Sequence, residues 1–501
     1  MGLDRDLQSI QEVRDLIKNA KAAQKEYQNW TQEQVDSLVK TIAEECEKHL
    51  EPLAKMAVEE TGFGIWQDKV IKNLLGCRVT YNYIKDMKTV GVINENKADG
   101  IIEIGVPMGI VAALIPSTNP TSTVMYKTLI SLKAGNAIIV SPHPNAKKCI
   151  LETVRIIQKA AKEAGAPNGL VQCIETTTMQ ATDTLMKHPD TGIILATGGS
   201  AMVKAAYSSG NPALSVGPGN GPSFIEKTAN IPVAVKRIMD SKTFDNGTIC
   251  ASEQSIVTES CIKSQVIDEV KRQGGYFLSP EESEKVEKFI MRANNTMNPA
   301  IVGKSVQVIA KMAGIRVPEG TRVLVSEQTE VGPNRPYSRE KLCPILAFFV
   351  EDTWEKACAK CIAILENEGS GHTMTIHSQN EQIIREFALK KPVSRLLVNT
   401  PGALGGTGAT TNLAPALTLG CGSVGGSATS DNITPLNLIN IRRVAYGVKE
   451  LEDLRREAGQ EVSGCTPCCN TNTAECGSSS GMSAQDIERL AREVLASILN
   501  K

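Results

Sequence analysis

From about residue 105 to residue 240, short apolar runs alternate with amphipathic ones, and no other feature constrains the fold of this chain as tightly. "GIIEIGVPMGIVAALIPSTNP", "NAIIVSPHP", "LVQCIE" and "TGIILATGG" are strand-like, rich in Ile, Val and Leu and closed by Gly, Pro or polar residues. Between them "CILETVRIIQKAAKEAG", "QATDTLMKHP" and "SAMVKAAYSSG" carry helical spacing. A helix between two strands returns the chain to the same edge of a sheet, so the strands run parallel and the helices cover its faces. The expected class is therefore α/β with a parallel sheet. A second α/β stretch is expected from about 241 to 415, and "NLINIRRVAYGV" (437–448) reads as a late strand. A chain of 501 residues exceeds one hydrophobic core, which predicts two or three domains.

The flanks read differently. "TQEQVDSLVKTIAEECEKHLEPLAKMAVEET" (31–61) places Val35, Leu38, Val39, Ile42 and Ala43 at helical spacing behind Thr31, a helix-capping residue type. From about 451 the composition turns polar and small, which predicts a flexible linker over 451–481. It leads into "MSAQDIERLAREVLASILNK" (482–501), where Ile487, Leu490, Ala491, Val494, Leu495, Ile498 and Leu499 share one helical face behind a Ser483/Asp486 capping box. So short an amphipathic helix cannot bury its stripe alone and needs a partner.

Charge and hydropathy exclude several classes. With 54 basic and 55 acidic residues there is no electrostatic footprint for nucleic acid or an anionic membrane. Apolar runs such as "GIVAALIP" are too short to span a bilayer. The N-terminal segment has no apolar signal core, and Asp6 stands where a myristoylation motif carries Ser or Thr. A cytoplasmic protein with reduced cysteines is expected.

One of the 14 cysteines stands apart. "TFDNGTICASEQS" (243–255) places Cys250 three residues after Gly247 in a turn-rich stretch. A nucleophilic cysteine needs access, a way to favour thiolate, and donors for the oxyanion it creates. Cys358 and Cys361 ("CAKC") lie in a helical context. Cys465, Cys468, Cys469 and Cys476 have no second ligand pair at metal-binding spacing, so no metal is expected and the tail reads as a tether with reactive thiols.

Six segments in order identify the setting of Cys250: "GVPMGIVAALIPSTNP", "KAGNAIIVSPHPNA", "ATGGSAMV", "GPGNGPSFIE", "FDNGTIC" and "EKLCPILAF". Together they resemble the aldehyde dehydrogenase superfamily, most closely its CoA-acylating branch of acetaldehyde and propionaldehyde dehydrogenases, over about residues 5–450. The resemblance implies an aldehyde dehydrogenase-like α/β fold. A Rossmann-like NAD domain (1–240, with an oligomerisation arm at about 87–106) precedes a catalytic domain (241–415), and 416–450 returns to the cofactor domain and supplies an arm strand. It implies Cys250 as nucleophile and Asn119 as a donor to the oxyanion. It also implies cofactor contacts from Ser117, Thr118, Ser141, Pro142, His143, Thr197, Gly198, Gly199, Ser200, Gly217, Pro218 and Gly219, with Glu340 on the nicotinamide-side ribose. His372 either assists the coenzyme A thiol or is a satisfied structural histidine.

Hydrolytic members carry a Glu at the head of the glycine-rich segment, where this chain has Val216. A valine cannot take a proton from water. The expected reaction is therefore oxidation of a short-chain aldehyde with NAD+ and acyl transfer to coenzyme A. Its rivals are a hydrolytic aldehyde or semialdehyde dehydrogenase, an acyl-phosphate reductase on the same fold, and a non-catalytic assembly protein. The tail resembles peptides that direct enzymes into bacterial microcompartments, which implies a shell or cargo partner there. A homo-oligomer, dimer or tetramer, is expected on the same grounds.

Overall fold

The computed structural model describes residues 4–294 and 296–460. In chain order, β1 (Gly91–Asn96) and β2 (Ile101–Pro107) form an antiparallel hairpin. Then β3 (Ile110–Ile115), β4 (Ala137–Pro142), β5 (Val171–Cys173), β6 (Thr191–Thr197) and β7 (Ala213–Val216) build an all-parallel sheet in the order β5-β4-β3-β6-β7. All six residues of β3 and of β4 are buried, as expected of strands covered on both faces. The covering helices fall into two groups: Arg5–Tyr27 with Met179–Lys187, and Pro120–Lys133 with Gln32–Glu47 and Lys147–Glu163.

The second parallel sheet holds β8 (Gly221–Ile225), β9 (Glu253–Glu259), β10 (Gly275–Phe277), β11 (Val323–Glu327), β12 (Ile345–Glu351), β13 (Gly371–His377) and β14 (Val393–Val398), in the order β10-β11-β12-β9-β8-β13-β14. Successive residues of a strand point to opposite faces. Accordingly Phe224 and Val257 join one apolar cluster, while their neighbours Ile225 and Ile256 join another. Last, β15 (Ile439–Ala445) pairs antiparallel with β2, Ile441 opposite Gly105, inside the expected 437–448.

Two expectations need correction, the first domain boundary and the start of the linker, and the helical pattern near the N-terminus holds. The boundary expected at 240 falls too late, because β8 and the helix Ile231–Thr243 belong to the second sheet and its apolar cluster. The crossover between sheets is the 217–220 segment. The helical spacing read within 31–61 belongs to the helix Gln32–Glu47, and a second helix, Leu50–Thr61, follows it, the two parted at His49, whose φ of −114° leaves the helical range. Thr31 caps the first, its hydroxyl accepting from Gln34 N while the Gln34 side chain accepts from Thr31 N. Finally, residues 446–460 belong to a separate unit, and the expected linker begins with a helix, Leu451–Glu457. Its capping box (Glu450 with Asp453) and the ion pair Arg456–Asp453 at 3.0 Å are contacts within the helix itself. The rest of the expected linker and the 482–501 helix lie outside the described residues.

Candidate active site

The first sheet begins at its centre: β4 and β5 lie on one side of β3, and β6 and β7 on the other. Where a doubly wound sheet changes direction like this, loops part at the carboxyl ends of the strands and leave a crevice. All the cofactor residues expected from the first sheet lie at that edge. Ser117 and Thr118 follow β3, Ser141 and Pro142 end β4 with His143 next, Thr197 ends β6, and Gly217, Pro218 and Gly219 follow β7. Gly198 and Gly199 lead into the helix Ser200–Tyr207, whose N-cap, Gly199, offers no side chain to its free N–H groups. A Cβ added at Gly199 or Gly217 would meet nothing within 4 Å. An uncapped helix N-terminus facing open space suits the diphosphate of a dinucleotide, so these residues fit NAD. Ser141 Oγ and Thr197 Oγ1 hydrogen-bond to Thr182 Oγ1 (3.0 Å) and Thr418 Oγ1 (3.1 Å), and the exposed His143 accepts from Asn145 N through Nδ1 at 3.1 Å.

Cys250 is presented by a strained turn. Asp245 and Asn246 have φ of 49° and 51°, followed by Gly247 at 78°. Asp and Asn tolerate the left-handed region better than other side chains, and two in succession are held here by their surroundings. The buried Asp245 carboxylate accepts from Ile65 N (2.7 Å), Lys69 Nζ (2.9 Å), Thr248 Oγ1 (2.6 Å) and Lys72 Nζ, while Asp245 N donates to Asp68 Oδ2 (2.7 Å). Burial works to raise the Asp245 carboxyl, but Lys72 and Lys69 outweigh it and hold it below the usual carboxylate range. Burial pulls the Lys72 ammonium down to about 8 against the attraction of Asp245. Glycine is required at position 64, since a Cβ there would sit 1.8 Å from Asp245 Oδ1.

The thiol itself is half-buried. Burial, helped by the charge of Glu340, pushes it up to about 12, while the Arg395 guanidinium works the other way. Gly219 lies against the Cys250 backbone: a Cβ there would be 1.8 Å from the Cys250 carbonyl oxygen. Gly219 N also donates to Glu340 Oε1 at 2.8 Å, so Glu340, the expected ribose ligand, stands beside the nucleophile segment. Burial and then Glu368 push the Glu340 carboxyl up to about 8.

Asn119 is the N-cap of the helix Pro120–Lys133. Its Oδ1 accepts from Lys72 Nζ at 2.7 Å, and the same ammonium donates to Thr248 O at 3.1 Å, two residues before Cys250. His372, on β13, is fully buried with a split environment. Nδ1 lies 3.0 Å from Thr373 Oγ1, whereas Nε2 has no hydrogen-bond partner. Burial, then Arg395, brings the imidazole down to about 3, so it is neutral. Arg395 donates to His372 O at 3.1 Å and bears electrostatically on Cys250, which puts both groups around one guanidinium.

Several of these residues escape sequence reasoning. Lys69 and Lys72, on Trp66–Leu74 beside Asp68, read as an ordinary solvated face, yet both are buried. Glu253 accepts from Gly402 N at 2.7 Å through Oε1, has no partner at Oε2, and is pushed up to about 7 by burial. Its place three residues after Cys250 was the only available signal. Val216 is 2% exposed and packed in the apolar core of the first sheet. Among the described residues no group of three His, Cys, Asp or Glu side chains is arranged to hold a metal, and no helix is long and apolar enough to cross a membrane.

This chain is similar to known proteins in sequence and fold. Residues 6–337 match the aldehyde dehydrogenase family. The bifunctional aldehyde-alcohol dehydrogenase of Escherichia coli K12 is 45% identical over 87% of this chain and 50% of its own length. This chain spans about half the length of the first curated relatives it matches. The acetylating succinate-semialdehyde dehydrogenase of Clostridium kluyveri is 41% identical over 87% of this chain and 96% of its own. Among solved structures, a probable aldehyde dehydrogenase from Listeria monocytogenes EGD-e has a TM-score of 0.90 and 65% identity, covering 90% of this chain and all of that one. An acetylating aldehyde dehydrogenase from Geobacillus thermoglucosidasius has a TM-score of 0.88 and 53% identity, covering 89% and 99%. More distant are two propionaldehyde dehydrogenases, each covering 87% of this chain. One, from a Clostridium phytofermentans microcompartment, has 26% identity and a TM-score of 0.78 and is covered over 97%. The other, from Rhodopseudomonas palustris with bound propionyl-CoA, has 27% identity and a TM-score of 0.79 and is covered over 94%. A family match over most of the chain, and a 41% identical relative aligned almost end to end, make this protein a member of the aldehyde dehydrogenase family.

Proposed function

We propose that the protein oxidises a short-chain aldehyde with NAD+ and transfers the acyl group from Cys250 to coenzyme A, reversibly giving acyl-CoA and NADH. The observation that carries this reading is Val216: where hydrolytic members place a base for water, this chain buries an apolar side chain in its core. The acetylating relatives of known structure or sequence support it.

The residues act in sequence. Cys250 gives its proton to solvent and its sulfur adds to the aldehyde carbonyl. The Asn119 carboxamide N–H and the Cys250 backbone N–H donate to the oxygen that becomes negative, a contribution worth about 10²–10³ in rate per donor. Arg395 favours the thiolate. NAD+, when bound, would supply the hydride acceptor, and Glu340 would hold its nicotinamide-side ribose. Collapse of the tetrahedral adduct leaves a Cys250 thioester, and the coenzyme A sulfur displaces Cys250 from it. The neutral His372, whose Nε2 is unpartnered, is placed to accept a hydrogen bond from the incoming thiol, whose proton leaves to solvent.

The three-stranded antiparallel sheet of β1, β2 and β15 is mostly solvent-facing and is proposed as the oligomerisation arm. The amphipathic 482–501 sequence is proposed to direct the enzyme into a bacterial microcompartment, an assignment supported by the setting of the Clostridium phytofermentans neighbour. The deciding measurement is NADH formation from propanal and NAD+, with and without coenzyme A, by wild type and Cys250→Ala. Turnover that requires coenzyme A and vanishes in the variant is expected. Steady NADH without coenzyme A would refute the reading of Val216.

A further inference from the structure

We propose that Lys72 is a positioning residue that sets which face of the Asn119 carboxamide is offered to the reacting carbonyl. This rests on the reading of Asn119 as an oxyanion donor. An asparagine presents an acceptor on one side of its amide and a donor on the other, and nothing in its shape says which faces the substrate. An ammonium has three N–H donors and no lone pair, so it accepts only the oxygen side. Lys72 Nζ meets Asn119 Oδ1 at 2.7 Å, while Asn119 Nδ2 is turned away with only Thr118 Oγ1 nearby, at 3.3 Å. Flipping the amide would set donor against donor at a buried ammonium.

The ammonium is itself fixed. The Lys72 side chain is 1% exposed, and its Nζ also donates to Asp245 Oδ2 and, through one N–H shared between them, to Thr248 O and Oγ1, both at 3.1 Å. Its helix is seated against the helix that Asn119 begins. The adjacent Asn73 accepts from Thr121 Oγ1 at 2.7 Å. At Gly76, in the wide helical turn Leu75–Val79, the backbones approach so closely that a Cβ would lie 2.5 Å from Ser122 O. Such wide turns inside helices recur at functional sites. Two neighbouring side chains and a glycine contact thus hold Lys72 in register with Asn119. Neutralising Asp245 does not by itself account for Lys72, because Lys69 already pairs with that carboxylate at 2.9 Å.

The test is a double-mutant cycle of Lys72→Met and Asn119→Ala, read as kcat and KM for NADH formation from propanal and coenzyme A. Lys72→Met is expected to lower kcat about tenfold to a hundredfold with little change in aldehyde KM. That is less than the roughly 10²–10³ cost of losing an oxyanion donor outright, since a freed amide still samples the productive face. In the Asn119→Ala background the same substitution should lower kcat far less than it does in wild type. Alkylation of Cys250 by iodoacetamide, a displacement that forms no oxyanion, should slow by no more than this residual loss, the part that Lys72 contributes through the turn before the thiol. Multiplicative losses in the cycle, or alkylation slowed in step with kcat, would show that Lys72 only supports the nucleophile turn and overturn the inference. A nearly silent Asn119→Ala would instead remove the oxyanion reading itself, a distinguishable result. If Lys72→Met does not fold, Lys72→Met with Asp245→Asn keeps the buried charges balanced, and the cycle is run in the Asp245→Asn background.

Discussion

Replacing Gly219 by alanine tests how closely the nucleophile depends on its backbone neighbour. The added Cβ would fall 1.8 Å from the Cys250 carbonyl oxygen and 2.7 Å from its carbonyl carbon. Both are main-chain atoms that cannot swing aside. Both segments also run directly into strands paired with each other, Gly221 of β8 lying opposite Glu253 of β9. Restoring even the 3.0 Å that real Cβ atoms respect moves one backbone by about 1.2 Å. A displacement of that size at a reacting group costs on the order of 10² in rate. Overpacking adds roughly 1–3 kcal/mol of instability. Gly219→Ala is therefore expected to lower kcat about a hundredfold or more, measured as NADH formation with saturating substrates, while circular dichroism shows a retained fold with a lower Tm. Gly217→Ala is the control. Its Cβ meets only open space, so kcat should hold within about threefold while KM for NAD+ rises. A Gly219→Ala enzyme with wild-type kcat would refute the argument that this contact places the thiol.

Two predictions concern protons. Because the Cys250 thiol is pushed up to about 12, its alkylation by iodoacetamide in the free enzyme, followed on the Cys250 peptide by mass spectrometry, should rise about tenfold per pH unit from 7 to 9.5. A plateau near pH 8.5 would show an unperturbed thiol. The second concerns acid stability. His372 and His377 are buried and drawn down to about 3 from 6.5, by burial first and then by Arg395 and Arg237 respectively. Each binds its proton more weakly folded than unfolded, so its penalty is absent above pH 6.5 and grows as pH falls toward 3. At pH 5 it is on the order of 2 kcal/mol per histidine. Denaturant unfolding of His377→Gln should lose less stability than wild type between pH 6.5 and 5. An unchanged pH slope would mean that this histidine protonates within the fold.

The amino-acid sequence by itself determined the parallel α/β class, because the alternation of strand and helix periods has few other solutions. It also determined the candidate nucleophile, the glycine turns and the absence of a carboxylate at Val216, since each shows up as a residue type at a position along the chain. The burial of Lys69 and Lys72 was not legible there. Two lysines three apart on a short helix look the same whether the helix faces water or a carboxylate some 170 positions away in the chain. The sheet boundary was misjudged for a related reason: a helix carries no mark of which sheet it covers until the strands choose their neighbours. Only the tertiary structure decided that Asp245 would lock a left-handed turn, that Gly219 would lie against Cys250, and that one ammonium would hold both Asn119 and the turn before the thiol. Those are contacts between segments remote in sequence, set by packing, and local pattern does not encode distance through space.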